Sequence, residues 1–363
     1  MIAMTSTQQI RSLQSRRETA RHSGFSLVEL MVVVSIIAVL VGLLLVALGK
    51  VRGTANITKT KNTMREFSAA CDQFEQEFGR YPGPIPETVL ATYTGGPSPI
   101  SSTENAILDL MGGYRVQRPS DGGTSAQDDY DAYNALSGTS TISFGSTGWS
   151  LAVNIARIGE GPVIDGKASG PFFTPDEQSF ANVAGQVFPG GAFGGTPPEL
   201  PDLLDAWGQP IIYMRRQRTR GPLVSEDPDE RPQFLIAGLS PYLQTPEGIG
   251  ALGFDQVYSV AGNSRGSILS SNLGLDSEFN YAYILRHPGL GSFYDRDKMM
   301  SSSTAQGAYV LISAGPDGIY FSAEDGPGGP GDVVKDLSTL GTADANPSQL
   351  IDEYDDIRVF GGG

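Results

Sequence analysis

Histidine and cysteine are almost missing from this chain. Its 363 residues include two histidines and one cysteine. A lone Cys71 excludes an intrachain disulfide and leaves the redox compartment open. His22 and His287 are too few for a histidine-based active site. No Ser/His/Asp order, zinc-ligand spacing or phosphate-binding glycine loop occurs, so the chain is not read as an enzyme. The adjacent Asp128 and Asp129 are read as solvated residues, not as a glycosidase dyad. Positive charge is scarce as well. With 25 Lys and Arg against 40 Asp and Glu, the net charge is −15, which argues against a general grip on nucleic acid. No internal repeat of convincing period is present.

Glycine (46) and proline (24) are plentiful and point to a loop-rich, β-containing body. Against that background one stretch is different. From Leu30 to Leu48 there is no charge, only Ser35 and Gly42 among aliphatic residues. About 20 apolar residues span a hydrocarbon core, and lipid forces the backbone to bond within itself as a helix. Glu29 lies at the start of this run, where a carboxylate in a membrane helix costs about 2.5–3.5 kcal/mol at the centre and less near the end. Before it, residues 1–24 are polar and basic, with Arg11, Arg16, Arg17 and Arg21 against Glu18. Without them the net charge falls from −15 to −18.

A basic leader ending in Gly24, then Phe25, then Glu29 four residues on, resembles the signal of type IV pilins and type II secretion pseudopilins. The resemblance implies cleavage after Gly24 by a prepilin peptidase and methylation of the new amine of Phe25. It implies that Glu29 neutralises the N-terminal ammonium of a neighbouring subunit during assembly, since an unpaired charge in an apolar bundle is expensive. The implied partners are that peptidase and methyltransferase, other pilin or pseudopilin subunits, an inner-membrane assembly platform and membrane lipids. The implied place is the inner membrane, single-pass, with a cytoplasmic N-terminus before cleavage and the body outside. The four leader arginines agree by the positive-inside rule, although Lys50, Arg52, Lys59, Lys61 and Arg65 follow the span.

Beyond the membrane the helix is expected to continue. Ile57, Met64, Phe67, Cys71, Phe74 and Phe78 recur at helical spacing as one apolar stripe. Cys71 in that stripe reads as a buried free thiol. Gly49 and Gly53 are places for a bend or local melting, and Gly79 with Pro82, Pro84 and Pro86 stops the helix after about 50 residues, on the order of 80 Å. Residues 104–111 read as a short helix, and 142–144 and 153–158 as short strands. Strands are also expected at 211–214, 233–237, 281–285 and 308–313. Arg215, Arg216, Arg218 and Arg220 form a local basic run, read as a solvated or salt-bridged face.

Two further segments are similar to the type II major pseudopilin. Asp205-Ala206-Trp207-Gly208-Gln209-Pro210 followed by Tyr213 resembles its D-x-W-G-x-P turn, with Trp207 as packing. Ser313-Ala314-Gly315-Pro316-Asp317-Gly318, with Asp355-Asp356-Ile357 near the end, resembles its acidic closing loop. In that family the loop wraps calcium, so the resemblance implies ligands from Asp317, Asp325, Asp355 and Asp356, with carbonyls completing the oxygen shell that a hard cation takes. The residues from Gly326 to Glu353 interrupt the usual short interval, and the spacing is not an EF-hand.

The expected fold class is α+β and pilin-like: a long N-terminal helix, half in membrane, packed on an antiparallel sheet, with a large loop-rich insertion. The expected segments are leader 1–24, transmembrane and assembly helix 25–48, soluble helix 49–80, variable insertion 81–201 and sheet region 202–363. The expected function is a structural filament subunit. The alternative is a surface adhesin or carbohydrate-binding protein on a pilin-like anchor, with the insertion as its recognition domain.

Overall fold

The computed structural model describes residues 26–91, 100–182, 200–225, 227–236, 258–260, 263–265, 267–269, 277–287, 305–322 and 354–362. The helices are α1 (Leu27–Phe78), α2 (Glu87–Ala91), α3 (Ser102–Met111), α4 (Ser125–Asn134) and α5 (Ser277–Leu285). The first strands are β1 (Tyr114–Gln117), β2 (Thr139–Ser143), β3 (Ser150–Asn154), β4 (Val163–Ile164), β5 (Lys167–Ala168), β6 (Phe180–Asn182) and β7 (Pro201–Leu203). There follow β8 (Ile212–Arg215), β9 (Val224–Ser225), β10 (Phe234–Leu235), β11 (Tyr258–Val260), β12 (Asn263–Arg265), β13 (Tyr309–Ser313) and β14 (Ile357–Gly361). The chain divides into two units, residues 1–52 and 53–363.

In the first unit the described residues of α1 are exposed, with Leu27 at 74% and Val33 at 45%. Val32, Val33 and Val34 favour strand on their own, and a spanning helix overrides that preference because lipid offers the backbone no other partner. The helix assignment runs through Gly49 and Gly53, correcting the local melting expected there. Each glycine costs a helix roughly 1 kcal/mol, which the flanking cooperative turns absorb.

In the second unit, Thr60, Met64, Phe67, Cys71 and Phe74 are fully buried at alternating spacings of four and three. That stripe faces a three-stranded antiparallel sheet of order β14-β13-β8, in which Leu311 pairs with Val359 on one side and Tyr213 on the other. Strand alternation then divides the core. Tyr213, Tyr309 and Leu311 pack with the α1 stripe, whereas Ile212, Met214, Val310 and Ile312 join a second cluster with Leu90, Phe144, Phe234 and Ile268. Both faces are covered, which is why Tyr309 to Ile312 reads as an unbroken apolar run. Gly79, at φ +69, ends α1 with its N–H on the Glu75 carbonyl (2.7 Å).

The free edge of β8 is covered by side chains. Ser102 Oγ donates to the Tyr213 carbonyl, Thr103 Oγ1 donates to the Ile211 carbonyl (2.7 Å), and the Tyr213 N–H donates to Thr103 Oγ1 (2.9 Å). An edge strand capped in this way cannot recruit a foreign strand. Helix α3 begins with a capping box, Ser101 accepting from the Glu104 N–H and Glu104 accepting from the Ser101 N–H (2.6 Å). Burial raises the Glu104 carboxyl to about 7 against those two bonds. The folded state thus holds this proton where the unfolded chain has lost it. Its contribution to stability falls as pH rises from the ordinary carboxylate range to about 7.

The described part of the insertion is built on a second antiparallel sheet, β1-β3-β2, with Tyr130 and Tyr133 of α4 packed on Ala152. Several expectations are corrected here. Residues 281–285 form the end of α5 instead of a strand, because Tyr281, Ala282, Ile284 and Leu285 are buried at helical spacing while Tyr283 is not. The strand expected over 153–158 stops at Asn154, where a 3-10 turn takes over at Ile155. Of the strand expected at 233–237, Phe234–Leu235 are strand, Gln233 and Ile236 are not, and Ala237 lies outside the described residues. Asp128 and Asp129 lie in α4.

Of the two readings of its basic run, Arg215 takes the salt-bridged one. It turns inward instead of joining a solvated basic face, pairing with the Glu87 carboxylate and donating to the carbonyls of Tyr81 (2.8 Å), Pro82 (2.9 Å) and Ile85 (3.2 Å). Nearby, Asp109 takes Arg80 through both oxygens (2.5 and 3.2 Å), the Gly83 N–H (2.5 Å) and the Tyr114 hydroxyl. These two groups tie the turn after α1 to α3 and β8.

Candidate functional site

The N-terminal motif is visible from Ser26 onward, and Gly24 and Phe25 lie outside the described residues. Ser26 and Glu29 form a capping box. The Ser26 N–H donates to Glu29 Oε2 (2.8 Å), and the Glu29 N–H donates to Ser26 Oγ (3.2 Å). An Ser-x-x-Glu pattern before an apolar run is the sequence signal for this arrangement, so Ser26 was legible and overlooked. The box satisfies two amides that α1 would otherwise leave unpaired in an apolar setting. It also gives Glu29 an acceptor role within its own chain.

Ser35 Oγ donates to the Val32 carbonyl (2.8 Å), which hides the hydroxyl within the apolar surface. Among the described residues one helix, Leu27–Phe78, is long and apolar enough to cross a membrane. Cys71 in its second half is buried, and burial pushes its thiol pKa well up, as in an inert structural cysteine.

The two segments that resemble the pseudopilin body meet at one end of the sheet. The Asp205 carboxylate accepts from the N–H groups of Trp207 (2.9 Å) and Gln209 (2.9 Å) and from the Ser313 hydroxyl (2.7 Å). Burial raises the Asp205 pKa, opposed by these same bonds. Tyr320 Oη donates to the Pro210 carbonyl, so the turn is gripped from both ends of the 313–320 loop. Trp207 is part-buried against the core, as expected of packing. Asp205, Ser313 and Tyr320 were not singled out as a group, because 108 and 110 residues separate the partners.

The acidic residues of that loop act on its own backbone. Asp317 Oδ1 accepts from the Ile319 N–H (2.8 Å), and both oxygens of Asp356 accept from the Phe321 N–H (2.9 and 2.8 Å). Asp355 lies against Gly315, which sits at φ +70. A Cβ there would come within 2.7 Å of the Asp355 carbonyl, so glycine is required. Among the described residues no three His, Cys, Asp or Glu side chains gather as a metal ion needs. Asp317, Asp355 and Asp356 therefore do not make a metal group by themselves, and Asp325 lies outside the described residues.

No curated protein and no solved structure matches the chain. One family model does match: residues 19–45 fit the prokaryotic N-terminal methylation motif. The matched stretch spans Gly24, Phe25, Ser26 and Glu29 and much of the apolar helix, and it supports a type IV pilin-like precursor.

Proposed function

We propose that this chain is the precursor of a pilin or pseudopilin, a structural subunit of a type II secretion or type IV pilus-like filament. The observation that carries the proposal is the methylation motif leading directly into an exposed apolar helix with Glu29 at its start. A prepilin peptidase cuts after Gly24 and the amine of Phe25 is methylated. The helix then leaves the lipid to pack against neighbouring copies. The body, α1 from Gly53 onward with the β14-β13-β8 sheet, stays outside the membrane, in keeping with its acidic composition. In cells that have a prepilin peptidase and an assembly platform, the protein should appear in filaments sheared from the surface. Deleting the peptidase should remove it from the sheared fraction and leave the precursor in the membrane. Equal recovery with and without the peptidase would overturn the proposal.

The proposal includes a calcium ion held by Asp317, Asp355 and Asp356 together with Asp325, supported by the similarity of the loop and its oxygen-only donors. Its chemistry would be structural, supplying a cation to oxygen donors that the fold alone does not gather. An ion bound only to the folded state stabilises it by about 2.7 kcal/mol at 100 times its Kd. The purified protein should melt higher in calcium than in chelator, and Asp317→Ala should remove most of the difference. Equal melting in both would mean that the bonds to Ile319 and Phe321 hold the loop alone.

A further inference from the structure

The β1-β3-β2 sheet of the insertion ends in an open edge at β2. Two bonds fix its alternation. The Phe144 N–H donates to the Trp149 carbonyl (3.1 Å), and on the other side of β3 the Asn154 N–H donates to the Gly113 carbonyl (2.9 Å). Ser140, Ile142 and Phe144 therefore bond toward β3, whereas Thr139, Thr141 and Ser143 turn their backbone groups outward. The Thr139 N–H closes the preceding turn on the Leu136 carbonyl (3.2 Å). Among the described residues the outward N–H and C=O groups of Thr141 and Ser143 meet no protein partner, and both residues are exposed.

Strand edges are ordinarily guarded by a charge, a proline, a bulge or a covering segment. The edge of β8 has its cover in Ser102 and Thr103. β2, Thr-Ser-Thr-Ile-Ser, carries no charge and no proline, and it pairs with β3 through five consecutive residues without a bulge. Such an edge is a template for one more strand.

The uncompensated charge beside it is of one sign. No charged residue occurs from Ala132 to Ala156. The nearby cations are taken up within the chain: Arg115 by Asp129, Arg118 by Asp165 and Arg157 by Glu160. Asp128 and Asp131 are exposed on α4 and make no ion pair among the described residues. Thr141 Oγ1 donates to Asn134 Oδ1 (2.8 Å), which marks the β2 flank of α4. Asp131 lies one turn before Asn134 on that flank, and Asp128 one turn before Asp131.

We propose that the β2 edge takes up an extended, lysine- or arginine-bearing segment of another protein as a fourth strand. Its backbone would bond to Thr141 and Ser143, and its cations would meet Asp131 and Asp128. A second copy of β2 fits poorly. Antiparallel pairing of two β2 edges about a two-fold axis puts both α4 helices on one face of the joined sheet, carboxylates against carboxylates, with no cation on either strand.

The test uses the full chain in detergent, with a fluorescent ten-residue peptide of alternating lysine and valine as the probe. The peptide should bind saturably and slow hydrogen exchange over residues 139–144. The same peptide with all its amides N-methylated should bind at least tenfold more weakly, and so should one with glutamate in place of lysine. Thr141→Pro, at an outward position where an edge strand tolerates proline, should weaken binding at least tenfold. Asp128→Lys with Asp131→Lys should reverse the preference toward the glutamate peptide. If the proline chain fails to fold, the N-methylated probe on the unaltered chain still decides. No binding, or equal affinity for the methylated and unmethylated peptides, would overturn the proposal. Ser143→Cys chains that cross-link to one another on mild oxidation, Cys71 being buried, would assign the edge to a second copy and overturn it too.

Discussion

Glu29→Ala leaves the chain in the membrane and cleaved, but nearly absent from sheared filaments. Assembly on the proposed reading buries the ammonium of Phe25 among apolar helices, with Glu29 of a neighbour as its partner. Removing one partner of a buried charge pair costs about 3–5 kcal/mol, and each ~1.4 kcal/mol is a factor of ten. The expected loss of incorporation is therefore on the order of 100-fold or more. The capping box offers a competing explanation, because alanine also removes the acceptor of the Ser26 N–H. Glu29→Gln separates the two. Glutamine keeps the capping box and removes the charge. It should fail like alanine if charge pairing drives assembly, and incorporate normally if the cap is all that matters. Normal incorporation of Glu29→Ala would end the proposed role of the carboxylate.

The second large effect is on folding. Arg215→Met should destabilise the body by about 3–5 kcal/mol, because it strands the Glu87 carboxylate in a buried site. It also leaves the carbonyls of Tyr81, Pro82 and Ile85 short of a donor. Burial works against the guanidinium charge, and the Glu87 carboxylate overcomes it, so Arg215 stays protonated more firmly than an exposed arginine. Arg218→Met is the natural control. It is exposed and makes no ion pair among the described residues, and its loss should cost within about 0.5 kcal/mol. Denaturant unfolding of the detergent-solubilised protein reads both, and equal midpoints for the two variants would show that Arg215 does not anchor the turn after α1.

The contrast between those two arginines shows how far the sequence could be read. Both stand in one basic run, yet one is a buried anchor and the other a surface tip. What separates them is Glu87, 128 residues earlier, and no local pattern signals a partner that far away. The hydroxyls of Ser102 and Thr103 that seal the edge of β8 were hidden for the same reason, lying more than 100 residues from the carbonyls they meet. Periodic features fared better. The α1 stripe from Met64 to Phe78, its stop at Gly79 and the strand from Tyr309 depend on spacing within a few residues and are present, whereas Ile57, expected in the same stripe, is 37% exposed. Residues 281–285 failed because a short apolar run carries no decisive period, and the helix was settled by which side chains the core took in.

At the N-terminus, the methylation motif over residues 19–45 was legible because its signal lies in contiguous residues. Asp205 and Ser313 illustrate the opposite case. Each lies in a segment whose resemblance was noted, but only the fold shows that the two segments are bonded to each other.

The central claim is that this chain is a precursor whose leader is removed to release an assembling helix. Mass spectrometry of the N-terminal peptide from the membrane-extracted protein tests it most directly. The account predicts a chain that begins at Phe25 with one added methyl group on its amine. A chain that still begins at Met1, in cells whose prepilin peptidase is active, would contradict it.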